Sequence, residues 1–441
     1  MQKNYNNTGT PDALRAWDKE VIWHPFTPLT GAAEPILITA GEGVYLHTAD
    51  GRKIIDAVSS WWVNIHGHAN PYIARALAEQ ATTLEHVIFA GFTHAPAIRL
   101  AKNLLTILPP GQSRIFFSDN GSTAVEVGIK MAIQYWHNRG VRNRKKVIAI
   151  QGAYHGDTFG AMSVGDRSIF TDPFQPYLFD VAFIDFPTAA HEAGVIEQFR
   201  KLVAQGDVGA FIYEPLVQGS AGMRIYTPAV LDALLAEAKA HDVICIADEV
   251  FTGFGRTGKL FASEYCQHQP DIVAISKGIT GGTMALGVTS CSDKIVQAFQ
   301  TDDFLKTFFH GHSYTANPIT CAAANASFDL LTDPDCRQRI DRISRQHEAF
   351  ATHIRKHPAV LEARSLGTIL RVELQTEEGT AYANSLRKKI YPYFLERNIL
   401  LRPLGNILYV LPPYVMTEEA LQTVYTAIEE FIQTLPTKAS A

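Results

Sequence analysis

An acid and a lysine stand at the ends of two neighbouring apolar runs in the middle of this 441-residue chain. Asp248 follows the run 243–247, and Lys277 follows the run 271–275 after a single serine. Both runs are rich in β-branched residues and do not alternate with polar ones, which is typical of strands covered on both faces of a parallel sheet. Because ligands bind at the carboxyl ends of such strands, the sequence predicts that Asp248 and Lys277 face one ligand site.

An acid and a lysine at such an edge indicate pyridoxal phosphate as the ligand. This cofactor needs a lysine amine with which to form a Schiff base, and a carboxylate that keeps its pyridine nitrogen protonated. A free lysine amine has a pKa of about 10.4 and is a poor nucleophile at pH 7. An electropositive, partly dry site makes it a usable proton carrier. The alternative interpretation is ordinary, since Asp and Lys are common at solvated strand ends.

A second segment offers a place for a phosphate group. Residues 114–118 are predicted to form a strand, and Gly121 and Ser122 stand where the following helix opens, with a capping box from Thr123 to Glu126. Free backbone amides, the serine hydroxyl and the helix dipole all favour a dianion at such a turn. An ordinary capped helix is the alternative. We prefer the phosphate cradle because the proposed cofactor needs one.

Tyr154 directly follows the predicted strand 145–151, where an aromatic ring can stack on a flat cofactor. A surface tyrosine in a loop is the alternative. Trp61 and Trp62 are adjacent, and adjacent residues point to different faces in any regular structure. At least one of the two rings therefore has a special place, unless one is simply in the core and the other on the surface. His66 and His68 follow, but no third metal ligand stands nearby, so the sequence predicts structural histidines and no metal site.

A competing motif lies within the same region. Residues 253–259 read GFGRTGK and match G-x-G-x-x-G, which would make the chain a nucleotide-binding protein. The glycines come several residues after Asp248, whereas a dinucleotide fold places them at the tight turn between its first strand and helix. The spacing also differs from that of a phosphate-binding Walker loop. We therefore rank this hypothesis below the cofactor site.

Composition restricts the class of protein. A net charge of −5 with mixed signs argues against nucleic acid as a partner, and 46% apolar with 19% charged residues is ordinary globular usage. No apolar run approaches the ~20 residues of a membrane-spanning helix, so no membrane association is expected. The N-terminal sequence MQKNYNNTGTPD lacks the apolar core of a signal peptide and is predicted to be a polar tail. Five scattered cysteines fit a reducing cytoplasm.

The elements around these residues form a mostly parallel α/β sheet by prediction. Two helices are expected within residues 72–108, and strand–helix units continue to about residue 290. Segments 360–374, 398–410 and 417–434 mix strand and helix patterns and are typical of a separate α+β domain. The 308–318 segment is a polar loop that interrupts apolar sequence.

Taken together, the motifs identify a family. The segments are SSWW, SDNGSTAVEV, YHGDTFGAMSV, ADEVFTGFGRTGKLFA, SKGITGG and HGHSYTANP. Their content and order resemble the class III aminotransferases of fold type I, over nearly the whole chain from Trp23 to Tyr414. Among these, the chain is most similar to members that act on 8-amino-7-oxononanoate in biotin biosynthesis. The resemblance implies a fold-type-I transferase with a small domain from segments 1–65 and 331–441 around a cofactor-binding domain of residues 66–330.

The resemblance also implies roles for individual residues. Lys277 would carry pyridoxal phosphate and move the proton, Asp248 would pair with the pyridinium nitrogen, and Tyr154 would stack on the ring. Gly121 and Ser122 would bind the phosphate, and a neighbouring subunit would complete this site with Gly311, His312 and Ser313. Trp61 and Phe26 would line the substrate channel, Arg402 would bind the substrate carboxylate, and Arg256 would line the entrance of the donor. The implied partners are 8-amino-7-oxononanoate, an amino donor and a second copy of the chain in a homodimer with shared active sites.

Two departures from the family pattern bear on the amino donor. Phe26 replaces a tyrosine found in some members, and the segment HGHSYT replaces HGPTFM. The form HGHSYT also occurs in members that use lysine as the amino donor. The expected donor is S-adenosylmethionine, with lysine, or a broader ω-aminotransferase activity, as the alternative.

Overall fold

A computed structural model describes residues 9–380 and 383–436 of the chain. The N-terminal part of the predicted polar tail, residues 1–8, lies outside the described residues. In the described ranges, no helix combines the length and the apolar character needed to cross a membrane.

The structure contains the following regular elements. The strands are β1 (Ile38–Glu42), β2 (Tyr45–Thr48), β3 (Lys53–Asp56), β4 (Gln112–Ser118), β5 (Lys146–Ile150), β6 (Ala182–Ile184), β7 (Val208–Tyr213), β8 (Val217–Gln218), β9 (Arg224–Ile225), β10 (Ile244–Asp248), β11 (Ile272–Ile275), β12 (Gly287–Ser292), β13 (Val360–Leu366), β14 (Ile369–Leu374), β15 (Ile399–Leu400) and β16 (Ile407–Val410). The helices are α1 (Pro11–Val21), α2 (Ser59–Trp62), α3 (Pro71–Thr83), α4 (Ala95–Ile107), α5 (Gly121–Asn138), α6 (Phe159–Val164), α7 (Glu192–Val203), α8 (Pro228–Ala240), α9 (Asp293–Gln297), α10 (Pro318–Leu331), α11 (Pro334–Ile354), α12 (Arg387–Glu396) and α13 (Glu418–Gln433).

A seven-stranded sheet in the order β4-β12-β11-β10-β7-β5-β6 forms the centre of the molecule. Strand β12 pairs antiparallel with β11 and with β4, and the other neighbours in this sheet are parallel. The predicted mostly parallel α/β sheet is therefore confirmed. So are the two helices expected within residues 72–108, which are α3 and α4.

The central strands are apolar because helices cover both faces of this sheet. Along β10, Ile244 and Ile246 pack into one core with α5, whereas Cys245 and Ala247 pack into the opposite core with α4, α7 and α8. Successive side chains of a strand point to opposite faces, so a strand buried on both faces has no polar alternation. Burial on both faces therefore explains why the apolar runs in the sequence are continuous.

Two smaller sheets bring the ends of the chain together. Strands β1, β2 and β3 of the N-terminal part are joined by β15, which pairs parallel with β3. Strands β13, β14 and β16 form an antiparallel sheet, and α11 and α13 contribute to a core that also contains Val44, Ile55 and Ala57. The domain boundaries at residues 65 and 330 stay a prediction.

Candidate active site

Five parallel strands of the large sheet deliver polar residues to one edge. The residues that follow or end these strands are Ser122 after β4, Tyr154 and His155 after β5, Glu214 after β7, Asp248 at the end of β10 and Lys277 after β11. Parallel strands end at the same edge of a sheet, and ligands of open α/β folds bind there. The sequence-predicted pair Asp248 and Lys277 is thus brought to one place by neighbouring strands.

Lys277 occupies a strained and dry position. It opens a 3₁₀ turn with a φ angle of 46°, in the left-handed region that non-glycine residues rarely adopt. Its Nζ lies 4.9 Å from the centre of the Trp62 ring and 5.6 Å from that of Phe251. Burial lowers the pKa of Lys277 to about 8, although the negative charges of Asp248 and Glu214 act in the opposite direction. A lysine with such a pKa is deprotonated far more easily than one in water.

Asp248 is buried and held by two donors. Its Oδ1 accepts a hydrogen bond from the Val250 amide at 3.1 Å, and its Oδ2 lies 2.6 Å from Nδ1 of His155. Both side chains are nearly inaccessible to solvent. The sequence reasoning did not single out His155, although it directly follows Tyr154. Its position after a buried strand was the signal that could have identified it.

The amino end of α5 has the geometry expected of a phosphate cradle. The first amides of a helix have no partners within the helix, and the structure gives those of Gly121 and Ser122 none elsewhere in the described residues. The Ser122 hydroxyl accepts a hydrogen bond from the amide of Asp157 at 3.1 Å. The backbone of Gly156 approaches closely, since a Cβ there would lie 2.2 Å from the Ser122 hydroxyl oxygen.

The predicted capping box of α5 is wrong in its residues. Asn120 caps the helix: its side chain accepts from the Thr123 amide, and the Thr123 hydroxyl accepts from the Asn120 amide. Glu126 instead reaches the amides of Gly160 and Ala161 at the start of α6. The long-range contact wins because the glutamate thereby satisfies two free amides of a second helix.

These groups surround a small cavity of about 240 Å³. Its lining includes Gly121, Ser122, Tyr154, His155, Glu214, Asp248 and Lys277. A lysine, a buried carboxylate, free helix amides and an aromatic ring are the groups that pyridoxal phosphate requires. In addition, Nε2 of His155 is buried and has no partner among the residues described. The residues present therefore fit this cofactor.

A larger cavity of about 530 Å³ adjoins the small one. Its lining is mostly aromatic and apolar and includes Phe26, Trp61, Tyr154, Phe170 and Arg402. Trp62, Tyr154, Gly156, Ser220 and Lys277 line both cavities. Lys277 therefore lies where the small cavity, with its polar side chains, meets the larger cavity, with its aromatic rings.

The two adjacent tryptophans have different environments, as the sequence predicted. Trp61 is 46% exposed, and its ring lies 5.7 Å from that of Phe26 and 5.3 Å from the Arg402 guanidinium. Trp62 is 6% exposed and donates from Nε1 to the Tyr409 hydroxyl at 3.0 Å. Thus neither ring is a plain core or surface residue, because both line a cavity.

The turn that carries these rings is strained. Ser59, Ser60 and Trp62 have φ angles of 52°, 60° and 68°. The buried carboxylate of Asp56 holds this turn by accepting from the amide of Ser60 and from its hydroxyl. Backbone strain of this kind persists only where surrounding contacts enforce it, and it is frequent at ligand sites.

Arg402 places a guanidinium in the lining of the larger cavity. Its guanidinium lies over the Trp61 ring and forms no ion pair with a carboxylate anywhere in residues 9–380 and 383–436. An exposed guanidinium beside an aromatic wall can bind a carboxylate with two parallel hydrogen bonds. This position is compatible with the role predicted for Arg402.

The structure places Arg256 differently from the expectation that it lines a donor entrance. Its side chain is 1% exposed, and the guanidinium donates to the carbonyl groups of Pro412 and Trp62. It also lies 5.2 Å from the ring of Tyr414. Arg256 is not part of the lining of either cavity. Its guanidinium packs between the segments 62–64 and 412–414, and its buried Nε has no partner among the described residues. The prediction for this residue needs correction: in this chain Arg256 joins segments of the interior.

Gly311, His312 and Ser313 do not line either cavity of the same chain. They lie in a loop in which the Tyr314 amide donates to Nδ1 of His312 at 3.2 Å. Their predicted phosphate contact can therefore arise only across a subunit boundary. That contact stays a prediction.

The competing nucleotide motif is packed in the interior. Residues 253–257 are buried, and Gly258 approaches the backbone of Gly367. Lys259 donates to the Glu264 carbonyl at 2.8 Å. This geometry leaves the motif no free loop for a phosphate chain.

The structural prediction for the two histidines agrees with their contacts: His66 bonds to Ser327, and His68 bonds to Asp56. No potential metal-binding group of three His, Cys, Asp or Glu residues occurs in the described part of the chain.

Comparison with known proteins extends this description. The family model for the Aminotransferase class-III family matches residues 30–432. The adenosylmethionine-8-amino-7-oxononanoate aminotransferase of Synechococcus elongatus is 47% identical over 93% of this chain and 98% of its own length. The crystal structure of the enzyme of that name from Methanocaldococcus jannaschii has a TM-score of 0.89 at 34% identity, covering 95% of this chain and 99% of that one. An amine transaminase from an uncultivated Pseudomonas species, solved with pyridoxal phosphate bound, has a TM-score of 0.87 at 28% identity, covering 93% and 97%.

Proposed function

Because the chain belongs to the class III aminotransferase family, we propose that it transfers an amino group to 8-amino-7-oxononanoate and so produces 7,8-diaminononanoate. It is a pyridoxal phosphate-dependent aminotransferase of fold type I. The family resemblance, the fold type and the cofactor predicted from the motifs are thereby confirmed. The substrate is proposed from the relatives, whose name specifies this acceptor.

One observation carries the choice of acceptor. Lys277 stands where the polar cavity meets an aromatic cavity that contains the guanidinium of Arg402. An acceptor with a keto group and a carboxylate separated by an apolar chain matches this arrangement of a reactive lysine, aromatic walls and a cation. 8-Amino-7-oxononanoate has these features.

The residues of the small cavity have proposed roles in the reaction. When bound, pyridoxal phosphate accepts the amino group and takes up the electrons released at the substrate carbon. Lys277, with its lowered pKa, would remove and return the proton. Asp248 would keep the ring nitrogen charged, and the α5 amides of Gly121 and Ser122 would hold the phosphate. Tyr154 would lie against the ring.

The proposed amino donor is S-adenosylmethionine. Its sulfonium cation and adenine are suited to aromatic walls, and Trp61, Phe26 and Phe170 supply them in the larger cavity. Asp157 and Asp166 line the same cavity and are the groups that the ammonium of the alternative donor, lysine, would use. The donor in the relatives' name supports S-adenosylmethionine.

A donor panel tests this reaction. Purified enzyme loaded with pyridoxal phosphate is mixed with S-adenosylmethionine, lysine or an ω-amine, and the visible absorbance of the cofactor is followed. Product formation from 8-amino-7-oxononanoate is then measured by mass spectrometry. We expect conversion by S-adenosylmethionine and appearance of 7,8-diaminononanoate.

The outcomes separate the alternatives. Conversion by lysine with none by S-adenosylmethionine would change the donor and leave the acceptor intact. Conversion by simple ω-amines, without amination of 8-amino-7-oxononanoate, would favour the broader ω-aminotransferase and overturn the proposed function.

We further propose a cytoplasmic homodimer in which each subunit completes the phosphate site of the other. Phe304, Leu305 and Phe309 support this, since they are 72%, 79% and 58% exposed close to the loop that holds Gly311, His312 and Ser313. Large exposed apolar patches mark interaction surfaces. Mixing a Lys277→Ala chain with a Ser313→Asp chain tests shared sites. A shared site predicts activity in the mixture that neither variant has alone, whereas an inactive mixed dimer would contradict it.

A further inference from the structure

Glu214 is a buried carboxylate that the proposed reaction does not use. It follows β7 and is 5% exposed. Its Oε1 accepts a hydrogen bond from the amide of Tyr154, and its Oε2 accepts one from the amide of Gly219, both at 3.0 Å. One carboxylate thus joins two chain segments that are 65 residues apart, from position 154 to position 219.

Both segments form walls of the two cavities. Tyr154 lines the small and the large cavity, and so does Ser220, the neighbour of Gly219. Glu214 itself lines the small cavity. The distance between these walls is therefore fixed by two hydrogen bonds to one carboxylate.

The Gly219 contact extends to the reactive lysine. A Cβ on Gly219 would lie 3.2 Å from the Trp62 ring and 3.4 Å from the Phe251 ring, so this backbone packs directly against both. The same two rings lie beneath the Nζ of Lys277. Movement of the Gly219 loop would therefore change the surroundings of that amine.

Burial, together with the neighbouring charges, brings the pKa of Glu214 close to neutral pH. Asp248 and His155 face it from β10 and from the loop after β5, and its charge also acts on Lys277 and Arg224. Burial is the largest cause that raises the pKa of Glu214, to about 7, and Asp248 adds to it, while His155 and the two amides lower it. The ionised form, which accepts both amides best, thus predominates only above about pH 7. Its charge raises the pKa of Lys277.

We propose that Glu214 is a positioning residue, whose carboxylate ties Tyr154 to the Gly219 loop and so fixes the passage between the two cavities and the environment of Lys277. Only the kinetic test of this inference, kcat and KM for 8-amino-7-oxononanoate, rests on the proposed function. The absorbance titration and the cofactor dissociation constant need only bound pyridoxal phosphate.

Glu249 provides a matched control. It is 0% exposed, and its carboxylate accepts from the amides of Ala262 and Ser263. Burial raises the pKa of Glu249 too. It does not line either cavity. Glu249→Gln therefore removes an equally buried acid without touching the passage.

The experiment compares Glu214→Gln, Glu214→Asp and Glu249→Gln in the full-length enzyme loaded with pyridoxal phosphate. The readouts are the pH titration of the visible absorbance, the dissociation constant of the cofactor, and kcat and KM for 8-amino-7-oxononanoate. A glutamine accepts through one oxygen only, so one amide loses its partner. We expect the titration of Glu214→Gln to move downward by about half a pH unit or more, because a negative charge near Lys277 is gone. We expect its KM to rise about tenfold.

The three variants can support or overturn the proposed role of Glu214. Glu249→Gln is expected to lower thermal stability while keeping the wild-type titration and KM. Glu214→Asp keeps the charge but is too short to reach both amides, so a wild-type titration with a raised KM is expected. A Glu214→Gln enzyme with wild-type titration and KM would overturn the proposal, and so would an equal shift in Glu249→Gln. If Glu214→Gln does not fold, a wild-type KM in Glu214→Asp would overturn it.

Failure of the proposed function would be visible separately. A wild-type enzyme that does not aminate 8-amino-7-oxononanoate would refute the substrate. The absorbance titration and the cofactor dissociation constant of the variants would still decide the role of Glu214.

Discussion

The two cavities that meet at Lys277 are built in different ways. The lining of the small cavity includes residues that follow parallel strands of one sheet, and its acids are held by fixed donors: Asp248 by His155 and Val250, Glu214 by two backbone amides. The lining of the large cavity includes exposed aromatic rings and Arg402, from N-terminal, central and C-terminal segments of the chain. In the small cavity the polar groups are preorganised, whereas in the large one they are open to a ligand.

This difference separates the chemistry from the choice of substrate. The buried Asp248 and Lys277 are proposed to act on charge that develops during the reaction, so their loss should lower kcat. The aromatic walls and the exposed guanidinium of Arg402 are proposed to bind parts of the substrate that do not react, so their loss should raise KM. Variants of the two cavities therefore test this division between chemistry and substrate binding.

Lys277→Ala should have the largest effect. Neither cofactor attachment nor the proton transfer has a carrier without this amine, so turnover should be abolished. Steady-state assays with S-adenosylmethionine and 8-amino-7-oxononanoate measure it. Lys259→Ala is the control, because Lys259 lies outside both cavities and contacts the Glu264 carbonyl and the Tyr265 ring. A Lys277→Ala enzyme that keeps a large share of wild-type turnover would refute the assignment.

Asp248→Asn should bind pyridoxal phosphate and yet turn over about 10³-fold more slowly, because a neutral amide stabilises the charged ring nitrogen poorly. The rate has to be measured on the cofactor-bound fraction, which absorbance quantifies. Loss of binding with an intact rate in that fraction would contradict the role of Asp248.

Arg402→Met should act on the large cavity alone. Loss of a charge-assisted hydrogen bond costs about 1.5–3 kcal/mol, so KM for 8-amino-7-oxononanoate should rise roughly 10- to 100-fold with a much smaller change in kcat. Arg402→Lys keeps the positive charge but lacks the planar guanidinium, so its KM should lie between those of the wild-type enzyme and Arg402→Met. A drop in kcat at unchanged KM would break the comparison between the cavities.

Phe26→Tyr should have the smallest effect. The ring of Phe26 contacts Trp61 and Phe170 at the exposed side of the large cavity. The substitution keeps these contacts and adds a hydroxyl at an exposed ring. We therefore expect kcat/KM to change by no more than about threefold for either substrate, since substitutions at exposed positions usually have small effects. Kinetics with S-adenosylmethionine and with lysine measure it. A larger change confined to one donor would show that this position selects the donor.

Much of the small cavity could be predicted because its signals are local. Asp248, Lys277 and Tyr154 each follow a β-branched run, and a run of that kind forms a strand that is covered on both faces. The helix after β4 was also expected, but its cap was assigned to the wrong residues, since Glu126 bonds to α6 instead. His155 and Glu214 follow such strands too. What identifies them is a hydrogen bond to Asp248 or to distant amides, which no local pattern contains.

The family, the parallel sheet and the edge at which an acid and a lysine meet follow from the sequence, because strand patterns and motif order are properties of contiguous residues. The tertiary structure alone decided that Arg256 is buried, that Trp61 and Trp62 line one cavity together, and that Glu214 joins two walls. These contacts depend on which distant segments pack against each other. Such packing is fixed by burial and hydrogen bonding across the whole chain.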